Sequence, residues 1–382
     1  MPRLLCVCAV SAPGGAEVVA VRLLRRLAAR GWAVTLTSPG AGPLRDTARA
    51  QAWGWSALPL GGLGRGRGAR AAASLLRARR LAAGHDAVLL NGGVAGRVLP
   101  AVAGAARTAL FVHDLVDRVP RHWRRADVVL ANSGAVARRL APLCAEVVGV
   151  PVELDPPPLR PPWERESGAG GSPSAARSER DAAPVIGFVG RLEPRKAPLD
   201  LVRAAPHIRR ARPDARIVMV GAEPFEARGY AEAVRQARGI EHFGWVDDAA
   251  GLMRHLDVLV VPSREEPLGA VAAEALAAGT PVVATRVGGL PEVVEDGVTG
   301  ALVAPNRPRE LAEATLRVLE RRHELGAEGR RRARRYSADA FADRVERLLA
   351  PPQPGGADAP LPRDPAPLRR DGATAAERPG AP

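Results

Sequence analysis

Residues 257–281 of the chain read DVLVVPSREEPLGAVAAEALAAGTP, an aliphatic run followed by a polar turn and an alanine-rich segment. Asp257 to Val261 has the composition of a buried parallel strand, which a proline ends. The alanine-rich segment predicts a helix that opens near Gly269 and stops at Gly279, a typical left-handed cap. Pro281 then prevents the helix from resuming. The stretch therefore predicts one strand–turn–helix unit of a parallel α/β sheet.

Two glutamates flank the turn between this strand and this helix. Glu266 lies on the turn and Glu274 lies inside the helix, with seven residues between them. The free N–H groups and the positive dipole end of a helix attract anions, and carboxylates accept hydrogen bonds from hydroxyl groups. A helix N-terminus alone would bind phosphate. The added carboxylates predict a ligand that carries both phosphate and sugar.

The same alternation of strands and helices extends over most of the chain. Leu4 to Val10 predicts a buried strand, and a turn at Gly14 and Gly15 separates it from a helix that ends at Gly31. Strands and helices alternate regularly again from Pro184 onward. The 382 residues suffice for two domains of ordinary size. The pattern predicts an α/β protein of two Rossmann-like, doubly wound domains that face a central cleft.

Composition divides the chain into segments. We expect a first domain over residues 1–155 and a second domain over residues 184–335. Residues 156–183 are rich in Pro, Gly, Ser and charged residues without periodicity, which predicts a disordered insertion. Residues 336–350 predict a final helix. Pro, Ala, Gly and Arg dominate residues 351–382, which predicts a disordered tail.

Composition also indicates where the protein works. No apolar run approaches the roughly 18–20 residues needed to span a bilayer. The short apolar run at the N-terminus has the length of a strand and leads directly into a glycine turn, so we interpret it as a strand rather than a signal peptide. Cys6, Cys8 and Cys144 form no metal or disulfide pattern, which favours a reducing compartment. We therefore expect a cytoplasmic protein.

The net charge of +14 suggests nucleic acid or an anionic membrane as a partner. However, Lys196 is the one lysine among 55 basic residues, so the charge largely reflects a composition in which arginine has replaced lysine. No aromatic residues interleave the basic runs as stacking platforms, which argues against nucleic acid. The arginines of a helix predicted over residues 69–83 leave open a peripheral contact with the inner face of the membrane or with an anionic acceptor. The lysine kept at position 196 indicates that a compact ammonium group is needed there.

The paired glutamates resemble the Glu-x7-Glu motif of retaining GT-B glycosyltransferases of the family-4, or group 1, type. Gly190-Arg191-Leu192 followed by Lys196 is similar to the Gly-Arg-Leu and lysine segment of that family, although Ala197 stands where glycine is usual. Leu268 stands where the family has phenylalanine. The order and spacing of these motifs over about 90 residues are more specific than any one motif.

Two further motifs carry the resemblance into the first domain. Gly14-Gly15-Ala16-Glu17 resembles the family's Gly-Gly-x-Glu loop, which lies between the acceptor and the donor diphosphate. His113-Asp114 resembles a His-Asp pair whose histidine contacts the transferred sugar. The family's Asn-Gly hinge is missing from residues 151–155. In the family the last helix, here residues 336–350, crosses back and packs on the first domain.

The resemblance implies transfer of a hexose, with retention, from a nucleoside-diphosphate sugar to an acceptor. Arg191 and Lys196 would stabilise the charge that develops on the leaving diphosphate, in place of a metal ion. Glu274 would accept hydrogen bonds from ribose hydroxyls and Glu266 from hexose hydroxyls. The implied catalytic residues are His113, Arg191, Lys196 and Glu266. The other implied donor-binding positions are Gly14, Gly15, Val246, Leu268, Gly269, Ala270 and Glu274. No metal and no cofactor other than the nucleotide sugar are expected.

Two alternatives remain open from the sequence. A nucleotide-sugar epimerase has a similar two-domain fold and would convert the donor without any acceptor. A non-catalytic basic binding protein would bind nucleic acid or membrane with a steep salt dependence and would not bind nucleotide sugars. The sequence predicts neither the acceptor nor the base and hexose of the donor.

Overall fold

Two parallel sheets, each covered by helices, organise the protein. The computed structural model describes residues 1–60, 68–157, 159–165, 183–222, 228–246 and 249–350. Most of the predicted insertion, residues 166–182, and the whole predicted tail, residues 351–382, lie outside the described residues.

The first sheet comes from the N-terminal part of the chain. Its strands are β1 (Arg3–Cys8), β2 (Ala33–Ser38), β3 (Gly54–Ala57), β4 (Ala87–Asn91), β5 (Arg107–Val112), β6 (Val128–Ala131) and β7 (Ala145–Val147). They lie in the order β3-β2-β1-β4-β5-β6-β7, and every neighbouring pair is parallel. The associated helices are α1 (Gly15–Ala29), α2 (Pro43–Ala50), α3 (Gly68–Ala83), α4 (Leu99–Val102) and α5 (Gly134–Arg139). A short helix, α6 (Pro162–Arg165), follows this unit.

The second sheet repeats the same winding. Its strands are β8 (Val185–Val189), β9 (Arg216–Val220), β10 (Glu241–Phe243), β11 (Val258–Val261), β12 (Val282–Thr285) and β13 (Gly300–Val303). Their order is β10-β9-β8-β11-β12-β13, again all parallel. The remaining helices are α7 (Pro198–Ala211), α8 (Arg228–Arg235), α9 (Ala270–Ala278), α10 (Leu290–Val293), α11 (Pro308–Glu320), α12 (Arg322–Ala333) and α13 (Ala338–Leu349).

Burial on both faces explains the aliphatic strand sequences. Leu5 on β1, Leu89 on β4 and Leu259 on β11 have no exposed surface, as expected for parallel strands between two helical layers. The cores consist mainly of Ala, Val and Leu, in keeping with the low aromatic content of 3%. Each sheet reverses its chain order at one place, between β1 and β4 in the first and between β8 and β11 in the second.

Helix α12 was not predicted from the sequence. It packs against α9, and the contact needs glycine because a Cβ on Gly326 would lie 2.1 Å from the carbonyl oxygen of Gly279. Most residues of α12 are charged or glycine, so the helix lacks the apolar periodicity by which a helix is identified in a sequence.

The last helix, α13, returns to the first sheet and packs on α1 and β5. Phe341 and Val345 are fully buried there. The indole Nε1 of Trp32 donates a hydrogen bond to Glu346 Oε1 at 2.7 Å, and Arg107 Nε donates to the carbonyl oxygen of Leu348 at 2.8 Å. The chain therefore ends its described part on the domain in which it began.

Part of the predicted disordered insertion, residues 156–183, is ordered. Trp163 on α6 is 2% exposed, and its ring centroid lies 5.8 Å from that of Phe243 on β10. Arg254 donates a hydrogen bond to the carbonyl oxygen of Pro156 at 2.9 Å. The prediction of disorder is wrong for the residues described between Pro156 and Arg165, because a buried tryptophan attaches them to the second domain.

Helix α5 ends at Arg139, ahead of Pro142, and β7 follows at Ala145–Val147. In the part of the chain that the structure describes, every helix is too short or too polar to cross a membrane.

Candidate active site

Most of the predicted site residues lie at the two points where strand order reverses. Arg191 and Lys196 follow β8 and Glu266 follows β11, whereas Gly14 and Gly15 follow β1. In doubly wound sheets the connections leave these points on opposite faces, so a crevice opens at the carboxyl ends of the strands. The topology therefore gives each domain one crevice.

Lys196 and Glu266 meet across the crevice of the second domain. The Nζ atom of Lys196 lies 2.5 Å from Glu266 Oε2, and the hydroxyl of Ser263 donates to the same oxygen at 3.1 Å. Glu266 is 5% exposed. Among the described residues both partners of this carboxylate therefore bind Oε2, which leaves Oε1 to accept from a ligand hydroxyl.

Two glycines pack against the backbone of the turn that carries Glu266. Gly288 has φ +51°, and a Cβ there would lie 1.8 Å from the carbonyl oxygen of Glu266. The amide of Gly289 donates to that oxygen at 3.0 Å. Any larger residue at Gly288 would displace the Glu266 backbone, so this close approach holds the turn in place.

The turn leads into the N-terminus of α9. Gly269 is its N-cap, with φ +98° and no side-chain cap, and Ala270 is its first residue. The side chain of Leu268 is 3% exposed and belongs to the core. Leu268 can therefore offer a ligand its backbone only, and the start of α9 is an anion-attracting helix end.

Arg191 does not contact the Lys196–Glu266 pair. Its side chain is about half exposed and lies 3.1 Å from Glu193, which also pairs with Arg195 at 3.3 Å. Val246 lies beyond β10, the edge strand, and is half-buried against the core. The described contacts thus do not bring these two predicted residues to the pair, although both lie at the same edge of the second sheet.

Glu274 forms an ion pair with the opposite domain. Its Oε1 lies 2.7 Å from Nη1 of Arg22 on α1. Sequence reasoning did not find Arg22, because 252 residues separate the partners. Local periodicity gave no signal either, since Arg22 lies off the apolar stripe of this helix.

The glycine turn of the first domain has room for a ligand. Glu17 accepts a hydrogen bond from the Gly14 amide at 3.0 Å, and burial raises the pKa of this carboxyl group. Gly14 has a φ of −108°, and a Cβ on Gly15 would meet nothing within 4 Å. Packing among the described residues does not require glycine at Gly15, so the space beside this turn is open.

His113 lies at the tip of β5 and is almost fully buried. Its Nε2 lies 2.8 Å from Asn91 Oδ1, a carbonyl-type acceptor, which assigns the proton to Nε2. Asn132 donates to the His113 carbonyl oxygen at 2.9 Å. The centroid of the Phe111 ring lies 4.0 Å from that of the His113 ring. Burial lowers the pKa of His113 from 6.5 to about 3, so the ring is neutral near pH 7. Asn91 ends β4 and Asn132 follows β6, both at the carboxyl ends of buried strands, a signal that was not used in predicting the site.

The two domains also touch beside the Glu266 turn. The hydroxyl of Ser133 donates to the carbonyl oxygen of Pro267 at 2.5 Å. The amides of Gly134 and Ala135, at the start of α5, donate to the Glu292 carboxylate at 2.8 Å each. These bonds fix the second-domain turn against the first domain.

A cavity of about 430 Å³ opens between the domains next to this contact. Its lining residues are Leu115, Ala135, Arg138, Arg139, Arg264, Glu265, Val287 and Gly288. Leu115 lies two residues from His113 and Glu265 immediately precedes Glu266, so the cavity is lined by the chain segments that carry these two predicted site residues. Three arginines and one glutamate line it, and each arginine also has a carboxylate within 4 Å, namely Glu292 for Arg138, Asp117 for Arg139 and Asp200 for Arg264.

Two family profiles match the chain, one in each domain. A profile described as Glycosyltransferase Family 4 matches residues 13–151. A profile described as Glycosyl transferases group 1 matches residues 183–321. Together they cover most of the chain, and each contains the crevice loops of its domain.

Curated relatives match about half of the chain. The D-inositol 3-phosphate glycosyltransferase of Segniliparus rotundus is 37% identical over 50% of this chain and 46% of the relative. The protein of the same name from Mycolicibacterium smegmatis is 36% identical over 44% of this chain and 39% of the relative. The matched region thus spans about half the length of these relatives or less. Both profiles describe glycosyltransferases, and both relatives are named as glycosyltransferases. These matches favour glycosyl transfer over the epimerase alternative.

Solved structures share the fold over 91% of the chain. HepE of Anabaena, in complex with UDP and glucose, has a TM-score of 0.75 at 20% identity and covers 91% of this chain and 99% of that chain. A glycosyltransferase from Rickettsia africae has a TM-score of 0.75 at 20% identity and covers 91% of this chain and 97% of that one. The predicted GT-B fold, with two Rossmann-like domains, is confirmed.

Proposed function

The chain belongs to the group 1 glycosyltransferases, and from this premise we propose that it transfers a hexose from a nucleoside-diphosphate sugar to an acceptor, with retention and without a metal ion. The observation that carries the proposal is the Lys196–Glu266 ion pair, set between β8 and β11 at the start of α9. One cation and one carboxylate side by side suit the two halves of a nucleotide sugar, the diphosphate and the hydroxyl-bearing ring.

Lys196 is suited to stabilise the leaving group. As the glycosidic bond breaks, negative charge develops on the β-phosphate, and preorganised cations and helix N–H groups lower the energy of that state. An ammonium group has three protons, so Lys196 can keep its bond to Glu266 and still donate to a phosphate oxygen. Arg191, half exposed and near the same strand tip, would reach the diphosphate by releasing Glu193.

Glu266 and Glu274 are suited to bind hydroxyl groups. The unshared Oε1 of Glu266 would accept from the hexose, and Glu274, one helix turn into α9, would accept from the ribose. His113 would meet the transferred sugar as a neutral ring, since burial keeps the pKa of its imidazole low. In this proposal the departing phosphate oxygen takes the acceptor proton, so no carboxylate base is required.

The donor and acceptor can be narrowed by chemistry. HepE was solved with UDP and glucose, which makes UDP-glucose the first donor to test. The relatives are named for D-inositol 3-phosphate, an anionic acceptor. The arginine-lined cavity beside Glu266 favours an acceptor with negative charge, so D-inositol 3-phosphate is the first acceptor to test.

The test is product formation with these substrates by the wild-type chain and by Glu266→Gln. The exposed Glu313→Gln on α11 serves as the matched control. We expect the Glu266 variant to lose turnover by about 100-fold or more, since it loses a charged hydrogen-bond partner of the substrate and of Lys196. Proton NMR of the product should show the anomeric configuration of the donor, and EDTA should leave the rate unchanged. Wild-type turnover in Glu266→Gln would contradict the proposal.

A peripheral contact with an anionic membrane is part of the proposal. Helix α3 exposes Arg70, Arg77, Arg79 and Arg80 together with Leu76, which is 59% exposed. Such a face can bind acidic headgroups through its charges. Sedimentation with vesicles that contain phosphatidylserine tests it. Binding that depends on Arg77 and Arg80 supports the contact, and equal recovery with neutral vesicles would contradict it.

A further inference from the structure

Helix α1 enters the candidate site twice. It begins at the Gly14–Gly15 turn, and about two turns further on it presents Arg22 to the second domain. Nη1 of Arg22 lies 2.7 Å from Glu274 Oε1 and 3.1 Å from the carbonyl oxygen of Pro151, at the end of the first domain. One guanidinium therefore joins α1, the segment between the domains, and the carboxylate proposed to bind ribose.

The pair is largely shielded from water. The Arg22 and Glu274 side chains are 12% and 15% exposed. Ionised groups removed from water in this way need each other, because loss of one leaves the other desolvated without compensation. Arg22 therefore contributes to both the charge environment and the orientation of the Glu274 carboxylate.

We propose that Arg22 is a positioning residue for nucleotide recognition, which holds Glu274 from the opposite domain so that its carboxylate meets the ribose hydroxyls. The proposal rests on the proposed function, in which Glu274 binds ribose. An ionised carboxylate has about four acceptor positions and can bind Arg22 and two neighbouring hydroxyls together. Ribose recognition by the second domain then depends on the presence of the first.

A residue that only joined the domains would behave differently. Its loss would loosen the whole interface and weaken every ligand of the cleft. Arg26, one turn further along α1, is such a residue, because it pairs with Glu153 at 2.6 Å and Asp339 at 3.1 Å and contacts no predicted site residue. Positioning through Glu274 instead affects only ligands that carry ribose hydroxyls.

Calorimetric titration with a nucleoside diphosphate and its 2′,3′-dideoxy analogue separates these cases. The probe is whichever of UDP, GDP and ADP binds the wild-type chain most tightly. Arg22→Met keeps much of the side-chain volume without charge, Arg22→Lys keeps the charge, and Arg25→Met is the control on the exposed side of α1. We expect Arg22→Met to weaken binding of the ribose form about tenfold and to leave the dideoxy analogue unchanged. Arg22→Lys should recover part of the loss, and Arg25→Met should match the wild type.

A double-mutant cycle of Arg22→Met and Glu274→Gln is the second measurement. If Arg22 acts through Glu274, Arg22→Met should cost nothing further in a chain that already carries Glu274→Gln. Additive losses, equal losses for the ribose and dideoxy forms, or no loss at all would each overturn the positioning role while leaving the proposed function intact. Failure of the wild-type chain to bind any of the three nucleoside diphosphates would overturn the proposed function and this inference with it.

Discussion

Lys196 and Glu266 form an ion pair, with Nζ 2.5 Å from Oε2, between the tips of two adjacent strands of the second sheet. Their side chains are 18% and 6% exposed. A Lys–Glu pair so far from water is costly unless other bonds support it, and the hydroxyl of Ser263 supplies one. The pair is the centre of the proposed donor site, and the following predictions test its parts.

Lys196→Arg should reduce turnover about 100-fold although it keeps the charge. The larger planar guanidinium must be accommodated beside a nearly buried carboxylate and cannot direct a compact charge to the phosphate. Steady-state kinetics with saturating donor measure the effect. Arg210→Lys, at an exposed position of α7, is the matched control for exchange between the two residues. Near-normal turnover in Lys196→Arg would mean that this position needs charge alone.

Gly15→Ala and Gly288→Ala should separate ligand contact from backbone strain. A Cβ at Gly15 meets nothing within 4 Å, so the free energy of unfolding should stay the same or rise by up to about 1 kcal/mol. The donor KM should rise about tenfold, because the methyl group enters space that we assign to the diphosphate. A stable variant with unchanged KM would remove Gly15 from the site.

Gly288→Ala should lower the stability of the protein itself. It combines φ +51° with a contact of 1.8 Å to the Glu266 carbonyl oxygen, so we expect a loss of about 1–3 kcal/mol and reduced activity. Urea denaturation measures the loss. A variant as stable as the wild type would show that the Glu266 turn can move.

His113 should make the protein less stable in acid. Its pKa is about 3 in the folded chain and 6.5 when exposed, so unfolding takes up a proton between those values. The stabilisation is complete above pH 6.5 and is lost as the pH falls towards 3. From pH 7 to pH 5 the loss from this residue should be about 2 kcal/mol. Urea denaturation of the wild type and of His113→Asn at both values measures it, with exposed His323→Asn as the control. Equal losses in the wild type and His113→Asn would contradict a buried neutral ring.

Trp163→Ala should destabilise the second domain by about 3–5 kcal/mol, the usual cost of removing a large buried side chain. Trp163 is 2% exposed and packs on Phe243. Leu76→Ala, on the exposed face of α3, should change stability by less than about 0.5 kcal/mol. Thermal denaturation compares the two. If the two variants melted alike, the segment around Trp163 would not be part of the folded domain.

Local patterns predicted the features that are local in structure. Each strand–turn–helix unit, including Glu266 and the helix after it, is decided by residues that are neighbours in sequence. Alternation of such units permits few topologies, and the predicted two-domain fold is confirmed. Lys196 stood out because a single lysine was kept among so many arginines.

Long-range contacts could not be predicted in the same way. No local pattern near Arg22 predicts that its partner is Glu274, 252 residues away. The segment around Trp163 was predicted to be disordered because proline dominates its composition and one aromatic residue changes that little. In the structure the Trp163 ring is buried and packs the short helix α6 against the second domain. Helix α12 was not predicted because its sequence lacks apolar periodicity. It packs through glycine and backbone contacts instead.

A crystal structure of the chain with bound UDP tests the central claim most directly. The proposed function predicts a β-phosphate oxygen at about 2.7–3.2 Å from Nζ of Lys196, which is hydrogen-bonding distance, and ribose hydroxyls on the Glu274 carboxylate beside Arg22. A nucleotide bound away from the crevice between β8 and β11, or a diphosphate out of reach of Lys196, would contradict it.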